Sequence, residues 1–147
     1  MKFRLCIDRD KEEEIVATVH ERSVLTDKIE TLVMQYTGAD KITAYTEDDT
    51  VLLPFARIEC IVTIDGKIYA IDATGAHLRL KQRLYEVEEM VPSYFIRINK
   101  SALANERRIE RFTATYSGGV NAVFRCGYTE YVSRRCFAEI KRRFNAK

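Results

Sequence analysis

The chain has 147 residues, of which 46% are hydrophobic and 31% are charged, a balance that predicts a folded domain with a solvated surface. No apolar run approaches the length of a membrane-spanning helix and the early acidic residues argue against a secretory signal, so we expect a cytoplasmic protein without membrane insertion. The four cysteines lie far apart and the two histidines lie in unrelated segments, which disfavours disulfides and a metal site, and we expect no cofactor.

The first 56 residues are predicted to form a β-α-β-β segment. Alternating apolar residues predict a strand over Lys2–Asp8. Apolar residues at helical spacing predict a long helix over Asp10–Thr37, with an interruption near Ser23 and a stop at Gly38. A hairpin follows, with strands over residues 42–46 and 50–53 joined by the acidic turn "EDD".

From residue 50 onward the sequence predicts short strands and two small helices. Asp65-Gly66 lies between two β-rich runs and is a strong hairpin signal. A short helix is predicted before Pro92, three strands with glycine-containing turns after Arg107, and a last helix that begins at Ser133. The predicted fold class is α+β, mostly β, built from small antiparallel sheets with short helices. The predicted parts are residues 1–49 and 50–147.

The charge is distributed unevenly between the two ends of the chain. Residues 1–94 hold 12 Lys and Arg against 18 Asp and Glu, a net charge of −6, whereas residues 95–147 hold 12 against 4, a net charge of +8. Arginine dominates the basic part and suits bidentate contacts with phosphates and guanine edges. Since the basic residues lie in sequence with the pattern of a folded domain, they favour a polyanion-binding surface over a charged tail. A basic surface that is merely solvated is the alternative.

Catalytic motifs are missing from the sequence. It contains no G-x-S-x-G, no glycine-rich phosphate loop and no H-E-x-x-H, and its acidic clusters are typical of surface charge, so we do not expect an enzyme. Cations and an amide lie instead at predicted turns and at a helix start. They are typical of a nucleic-acid contact, in which cations neutralise phosphates and a few side chains read base edges.

Two stretches, "YFIRINKSALANERRIERF" (Tyr94–Phe112) and "YVSRRCFAEIKRRF" (Tyr131–Phe144), resemble the LytTR DNA-binding domain of bacterial transcriptional regulators. The resemblance covers about residues 50–147. The whole chain resembles the small stand-alone regulators of this type, in which a short segment replaces the phosphorylated receiver domain. The resemblance implies transcriptional regulation by a β-rich body whose loops enter successive major grooves of duplex DNA.

The resemblance also implies a set of contact residues. Base contacts are expected from Lys67 in the first loop, from Asn99 and Lys100 after the strand "FIRI", and from Arg134 and Arg135 at the last helix start. Phosphate contacts are expected from Ser101, Arg107, Arg108, Arg111 and Ser133.

Two positions depart from the family pattern. Asn99 lies where histidine is usual, and Ala104 lies where valine often precedes Asn105. Asn105 is expected to satisfy backbone groups of its turn, and Ser133 to cap the last helix. The acidic residues 1–49 are expected to form a homodimer interface or to sense a signal. A ligand- or protein-sensing module with an incidental basic face, and an RNA-binding domain, stay open as alternatives.

Overall fold

A computed structural model of the chain describes residues 1–145. The described part contains α1 (Val24–Thr37), α2 (Leu84–Met90) and α3 (Arg134–Asn145), with strands β1 (Lys41–Tyr45), β2 (Thr50–Pro54), β3 (Ile58–Ile64), β4 (Lys67–Asp72), β5 (His77–Leu80), β6 (Phe95–Asn99), β7 (Ala102–Asn105), β8 (Ile109–Ala114), β9 (Val120–Phe124) and β10 (Thr129–Val132). The predicted class, α+β and mostly β, is confirmed. None of these helices is long and apolar enough to cross a bilayer.

The strands form two antiparallel sheets. The larger has seven strands in the order β2-β1-β5-β4-β3-β7-β6, and the smaller has three in the order β10-β9-β8. The predicted Asp65-Gly66 hairpin is confirmed, because Ile64 pairs with Lys67 across it. Asp65 and Gly66 have φ of 52° and 75°, the left-handed pair that a tight hairpin turn of this kind requires.

The seven-stranded sheet is the middle layer between two cores. Successive residues of β3 point to opposite faces, so Ile61 joins one core and Val62 the other. The first core includes Phe55, Leu80 and Val87, the last of these from α2. The second core joins the larger sheet to the smaller sheet and to α3, and its members include Ile98, Phe124, Val132 and Ile140. The smaller sheet and α3 are thereby held against β6 and β7.

The N-terminal predictions were partly wrong. Residues 1–23 form no strand and no helix, and α1 begins only at Val24. The β-branched residues Ile15, Val16 and Val19 disfavour the first half of the predicted helix. The Lys2–Asp8 pattern suits a strand, but a strand needs a hydrogen-bonded neighbour and this segment has none among the described residues.

The predicted boundary at residues 49 and 50 falls within the larger sheet. β1 pairs with β2 over its whole length and with β5 through Tyr45 and Arg79. The hairpin of β1 and β2 is therefore continuous with the strands that follow. The division into residues 1–49 and 50–147 stays a prediction about function.

Candidate nucleic-acid interface

Three chain segments meet at one end of the larger sheet, and we call them together the tip surface. They are the β3–β4 turn (residues 64–67), the β6–β7 turn (residues 99–102) and the start of α3 (residues 133–135). Strands β3 and β6 both pair antiparallel with β7, so they run the same way and end at the same end of the sheet. Two backbone hydrogen bonds connect the segments, from Thr63 N to Ser101 O at 2.9 Å and from Ser133 N to Ile98 O at 2.9 Å. The three segments therefore form one connected surface.

Four cations of the tip surface are available to a ligand. Lys67, Lys100, Arg134 and Arg135 are all exposed. The ion pairs found among the described residues involve none of the four. The three segments hold these four cations against the single carboxylate of Asp65, a net charge of +3, which gives this end of the molecule a positive potential.

The β6–β7 turn is held from beneath by the side chains of Asn99 and Arg97. The Asn99 amide donates to Tyr131 O at 2.6 Å and accepts from Ser101 N at 2.7 Å, and the residue is only 8% exposed. Arg97 Nη1 donates to Lys100 O at 2.9 Å. This geometry gives Asn99 a supporting role and leaves Lys100 as the exposed side chain of the turn. A base contact by Asn99 stays a prediction.

The start of α3 is built around Ser133. Its hydroxyl accepts a hydrogen bond from Cys136 N at 3.2 Å, which confirms the expected cap. A helix start carries partial positive charge from its free N–H groups, and here Arg134 and Arg135 add two full charges. A phosphate contact by Ser133 stays a prediction, because its hydroxyl already has a partner.

The sequence did not point to the β8–β9 turn, residues 115–119, as a neighbour of this surface. A shallow groove beside the start of α3 is lined by Gly118 and Gly119 from the turn and by Arg134 and Lys141 from the helix. Tyr116 at the tip of the turn is fully exposed. The spacing of Arg134 and Lys141, seven residues on one helix, places both on the same face and was the available signal.

The comparisons with known proteins agree with this architecture. A family model described as the LytTr DNA-binding domain matches residues 48–145. The chain belongs to the LytTR family. The resemblance found in the sequence is confirmed, and the matched residues of this LytTR protein include every element of the tip surface.

Full-length relatives and a solved domain extend the comparison. An uncharacterised HTH-type transcriptional regulator of Staphylococcus aureus strain MSSA476 is 27% identical, and one of strain NCTC 8325 is 26% identical, each over 99% of both chains. These alignments include the N-terminal part that the family model leaves unmatched. A solved LytTr DNA-binding domain from Bacillus cereus has the same fold, with a TM-score of 0.63 and 21% identity over 70% of this chain and 94% of that one. In the described part of this LytTR protein, strands separate every two successive α-helices, so it has no helix-turn-helix.

Three of the predicted phosphate contacts lie away from the tip surface of the LytTR domain. Arg107 follows the far end of β7, where it stacks over the Tyr94 ring at 4.1 Å and pairs with Asp27 of α1 at 3.6 Å. Arg111 lies within β8 and pairs with the neighbouring Glu110 at 3.0 Å. The structure does not bring these side chains to the three segments, and their phosphate contacts stay predictions.

The third of these arginines, Arg108, joins the two sheets. Its Nε donates to Glu59 of β3, a carboxylate that is fully buried. Glu59 also accepts a hydrogen bond from Cys126 N at 2.8 Å. The pair therefore connects the larger sheet to the turn between β9 and β10. A contact between Arg108 and a phosphate would compete with this buried pair.

Asn105 has the structural role expected from the sequence. It is 1% exposed, its Nδ2 donates to Ile58 O at 3.0 Å and its Oδ1 accepts from Arg107 N at 3.0 Å. The described residues hold no group of three or more His, Cys, Asp or Glu side chains placed to bind a metal ion.

Proposed function

We propose that this protein regulates transcription by reading duplex DNA in a sequence-specific way with its tip surface. Membership of the LytTR DNA-binding family supports the binding of DNA. The observation that carries the finer proposal is the set of exposed, unpaired cations on three segments that hydrogen bonds connect at one end of the sheet. A rigid body of this kind presents cations to a duplex without first ordering a loop, which lowers the entropic cost of binding.

The order of the segments gives the expected spacing of the contacts. The β3–β4 turn and the β6–β7 turn are separated by two strand positions, and neighbouring strands lie about 4.8 Å apart. Their centres are therefore about 10 Å apart, which corresponds to about three base pairs at a rise of about 3.4 Å. Lys67 and Lys100 are expected to contact bases or phosphates in that register, and the start of α3 contacts the next stretch of the groove.

Each cation has a role that fits its chemistry. Arg135, with Arg134 beside it, can form two parallel hydrogen bonds with O6 and N7 of a guanine. Lys67 and Lys100 present a single charged head to a guanine edge or a phosphate. Ser101, Lys141 and the β8–β9 turn with Tyr116 border the same surface and are proposed as contacts with the sugar-phosphate backbone.

Selection of bound duplexes from a random pool tests the proposal. The wild-type protein is expected to enrich one sequence, and affinity for it should fall steeply with salt because phosphate contacts release counterions. Lys100→Ala and Arg135→Ala should each lose about 1–3 kcal/mol of binding free energy and relax the preference at separate base pairs.

Arg125→Ala is the matched control for these variants. Arg125 is an exposed arginine of the basic part, but it follows the end of β9 that lies away from the start of α3. It should bind the selected duplex like the wild type. Equal losses in all three variants, or no enriched sequence, would overturn the proposal. A structured RNA that competes better than the selected duplex would favour the RNA-binding alternative instead.

We also propose that residues 1–49 form a homodimer interface and that residues 50–147 bind DNA. The support is the unusual surface of the N-terminal part. Among the described residues, eleven of the eighteen exposed large hydrophobic side chains lie within the first 36 residues. Soluble monomers rarely expose so many apolar side chains in one segment.

A further inference from the structure

The first 21 residues, which we call the arm, have the pattern of a strand but no partner. Phe3, Leu5 and Ile7 alternate along the chain and are 89%, 73% and 89% exposed. No hydrogen bond or ion pair joins the arm to the rest of the described chain, since its one side-chain bond, from Asp10 N to Asp8 Oδ1, is internal. The apolar row of the arm therefore does not pack on the rest of its own described chain.

Helix α1, which follows the arm in the chain, has an exposed apolar stripe. Leu25, Leu32 and Tyr36 are 43%, 66% and 88% exposed, and their spacing of seven and four residues places them on one face. None of the residues of α1 is fully buried. A helix of 14 residues is marginal by itself in water and depends on packing, so α1 needs a second surface.

The stripe is complementary to a second copy of itself. If two α1 helices pack antiparallel about a two-fold axis, Leu25 of each faces Tyr36 of the other, and Leu32 faces the half-buried Ile29. An interface of this kind uses the same patch on both copies, as a two-fold dimer requires. The arm has 21 residues and α1 has 14, together 35, which is somewhat more than the 20–30 or so that each partner gives to an ordinary interface.

The larger sheet has a free edge that an arm can extend. Strand β2 is the outermost strand on one side and pairs only with β1, whereas β6 at the other edge is bonded through Ile98 to the start of α3. In an antiparallel pair, every second residue of a strand directs its backbone N–H and C=O toward the partner strand. The bonds from Phe55 N to Asp40 O and from Thr46 N to Asp49 O show which residues of β2 direct these groups toward β1. That alternation turns the backbone N–H and C=O of Thr50 and Leu52 toward the free edge.

The unpaired backbone groups of an edge strand can bond to an added strand, and an exposed apolar residue on that edge favours the addition. Leu52 on this edge is 69% exposed, and the buried Leu53 beside it belongs to the first core. A strand added to β2 could place an apolar row next to this core and a polar row in solvent. Residues 2–8 have such a pattern, with Lys2 and Arg4 alternating with Phe3 and Leu5.

We propose that two copies of this chain exchange their arms. The α1 helices pack antiparallel, and residues 2–8 of each copy add as a strand to the free edge of β2 in the partner. This inference rests on the homodimer proposed above and specifies how it forms. Strand β2 ends and β1 begins toward the same end of the larger sheet as the tip surface, but β1 and β5 separate β2 from β4 and its turn, so the exchange takes place at the side edge of the sheet farthest from the start of α3.

Sedimentation of the full chain over a concentration series, together with hydrogen exchange of its peptides, tests the exchange. The wild type should be a dimer in which amides of residues 2–8 and the amides of Thr50 and Leu52 are protected. Leu32→Glu places a charge in the helix seam and should raise the dimer dissociation constant about 30-fold or more, the effect of losing an interface anchor.

A second variant tests the strand addition separately. Thr50→Pro removes an N–H that faces the free edge and leaves the bonds between β1 and β2 in place, so it should weaken the dimer and remove the protection of residues 2–8. Thr50→Val keeps the N–H and should behave as the wild type. A monomeric wild type would overturn the proposal, and so would protection of residues 2–8 in a monomer, because the arm would then occupy its own chain. A dimer whose arms stay unprotected would overturn the exchange as well.

The outcome is distinguishable from a failure of the DNA-binding proposal. Monomeric Leu32→Glu should still bind a duplex with a single site through the tip surface, and its binding should still depend on Lys100. Retained single-site binding with a lost dimer supports the exchange, whereas a dimer without DNA preference contradicts only the reading of bases.

Discussion

Replacing Asn99 with alanine is expected to lower the free energy of unfolding by about 2–3 kcal/mol. The side chain makes two hydrogen bonds, to Tyr131 O at 2.6 Å and from Ser101 N at 2.7 Å, and is 8% exposed. A lost hydrogen bond contributes about 1 kcal/mol, and a group left unpaired in a buried place costs about 1–3 kcal/mol. Water can reach the neighbouring turn and offsets part of that cost. For a protein of 147 residues the change corresponds to a decrease of roughly 4–12 °C in Tm.

Urea unfolding followed by circular dichroism measures this change, and Lys100→Ala is the matched control. Lys100 is the next residue and is exposed without an ion pair, so its replacement should leave the unfolding free energy within about 0.5 kcal/mol of the wild type. The two variants thus separate support of the turn from contact with DNA. If Asn99→Ala were as stable as Lys100→Ala and lost preference at one base pair, Asn99 would read a base and the supporting role would be refuted.

Three further predictions concern buried and hydrogen-bonded groups. Glu59→Gln should lower the unfolding free energy, measured in urea, by about 2–4 kcal/mol, because it leaves the partly exposed Arg108 without its counter-ion. Adding Arg108→Met should recover part of the loss. A Glu59→Gln variant as stable as the wild type would contradict the role of the pair. Burial raises the pKa of the Cys60 thiol, so a disulfide reagent should modify the exposed Cys6 quickly and Cys60 only on unfolding, and equal rates would refute its burial. Burial alone would raise the pKa of Asp72, but hydrogen bonds from its turn outweigh burial and lower the pKa. The carboxylate therefore stabilises the fold at pH values above the unfolded pKa of about 3.9. This stabilisation is lost as the pH falls through the folded pKa. Asp72→Asn should therefore be less stable than the wild type near neutral pH, and a difference that grows on acidification would contradict this sign.

Local chemistry made much of the fold predictable. The Asp65-Gly66 turn between two β-rich runs and the cap at Ser133 depend on neighbouring residues, and the structure contains both. Strand β7 was not predicted, because "ALAN" is short, has no clear alternation and is buried on both faces between β3 and β6. The arm was assigned a strand from its pattern alone, and the pattern cannot say which edge would pair with it.

The candidate site was less predictable, because spacing along the chain does not say at which end of a sheet a residue lies. Lys100 and Arg107 are seven residues apart, yet β7 carries Arg107 to the opposite end. Asn99 and Lys100 are neighbours in the chain, yet the amide of Asn99 points into the protein and the ammonium of Lys100 points into solvent. The groove between the β8–β9 turn and α3 exists only through tertiary packing of the smaller sheet.

Coupling between a tip side chain and a base pair is the most direct test of base reading by the tip surface. The affinities of wild type, Lys100→Ala and Arg135→Ala are measured on the selected duplex and on duplexes changed at one base pair. Each variant should be insensitive to one changed position that the wild type discriminates, with a coupling free energy of about 1–3 kcal/mol, and the positions should differ between the two variants. Coupling free energies near zero at every base pair would contradict base reading by these loops.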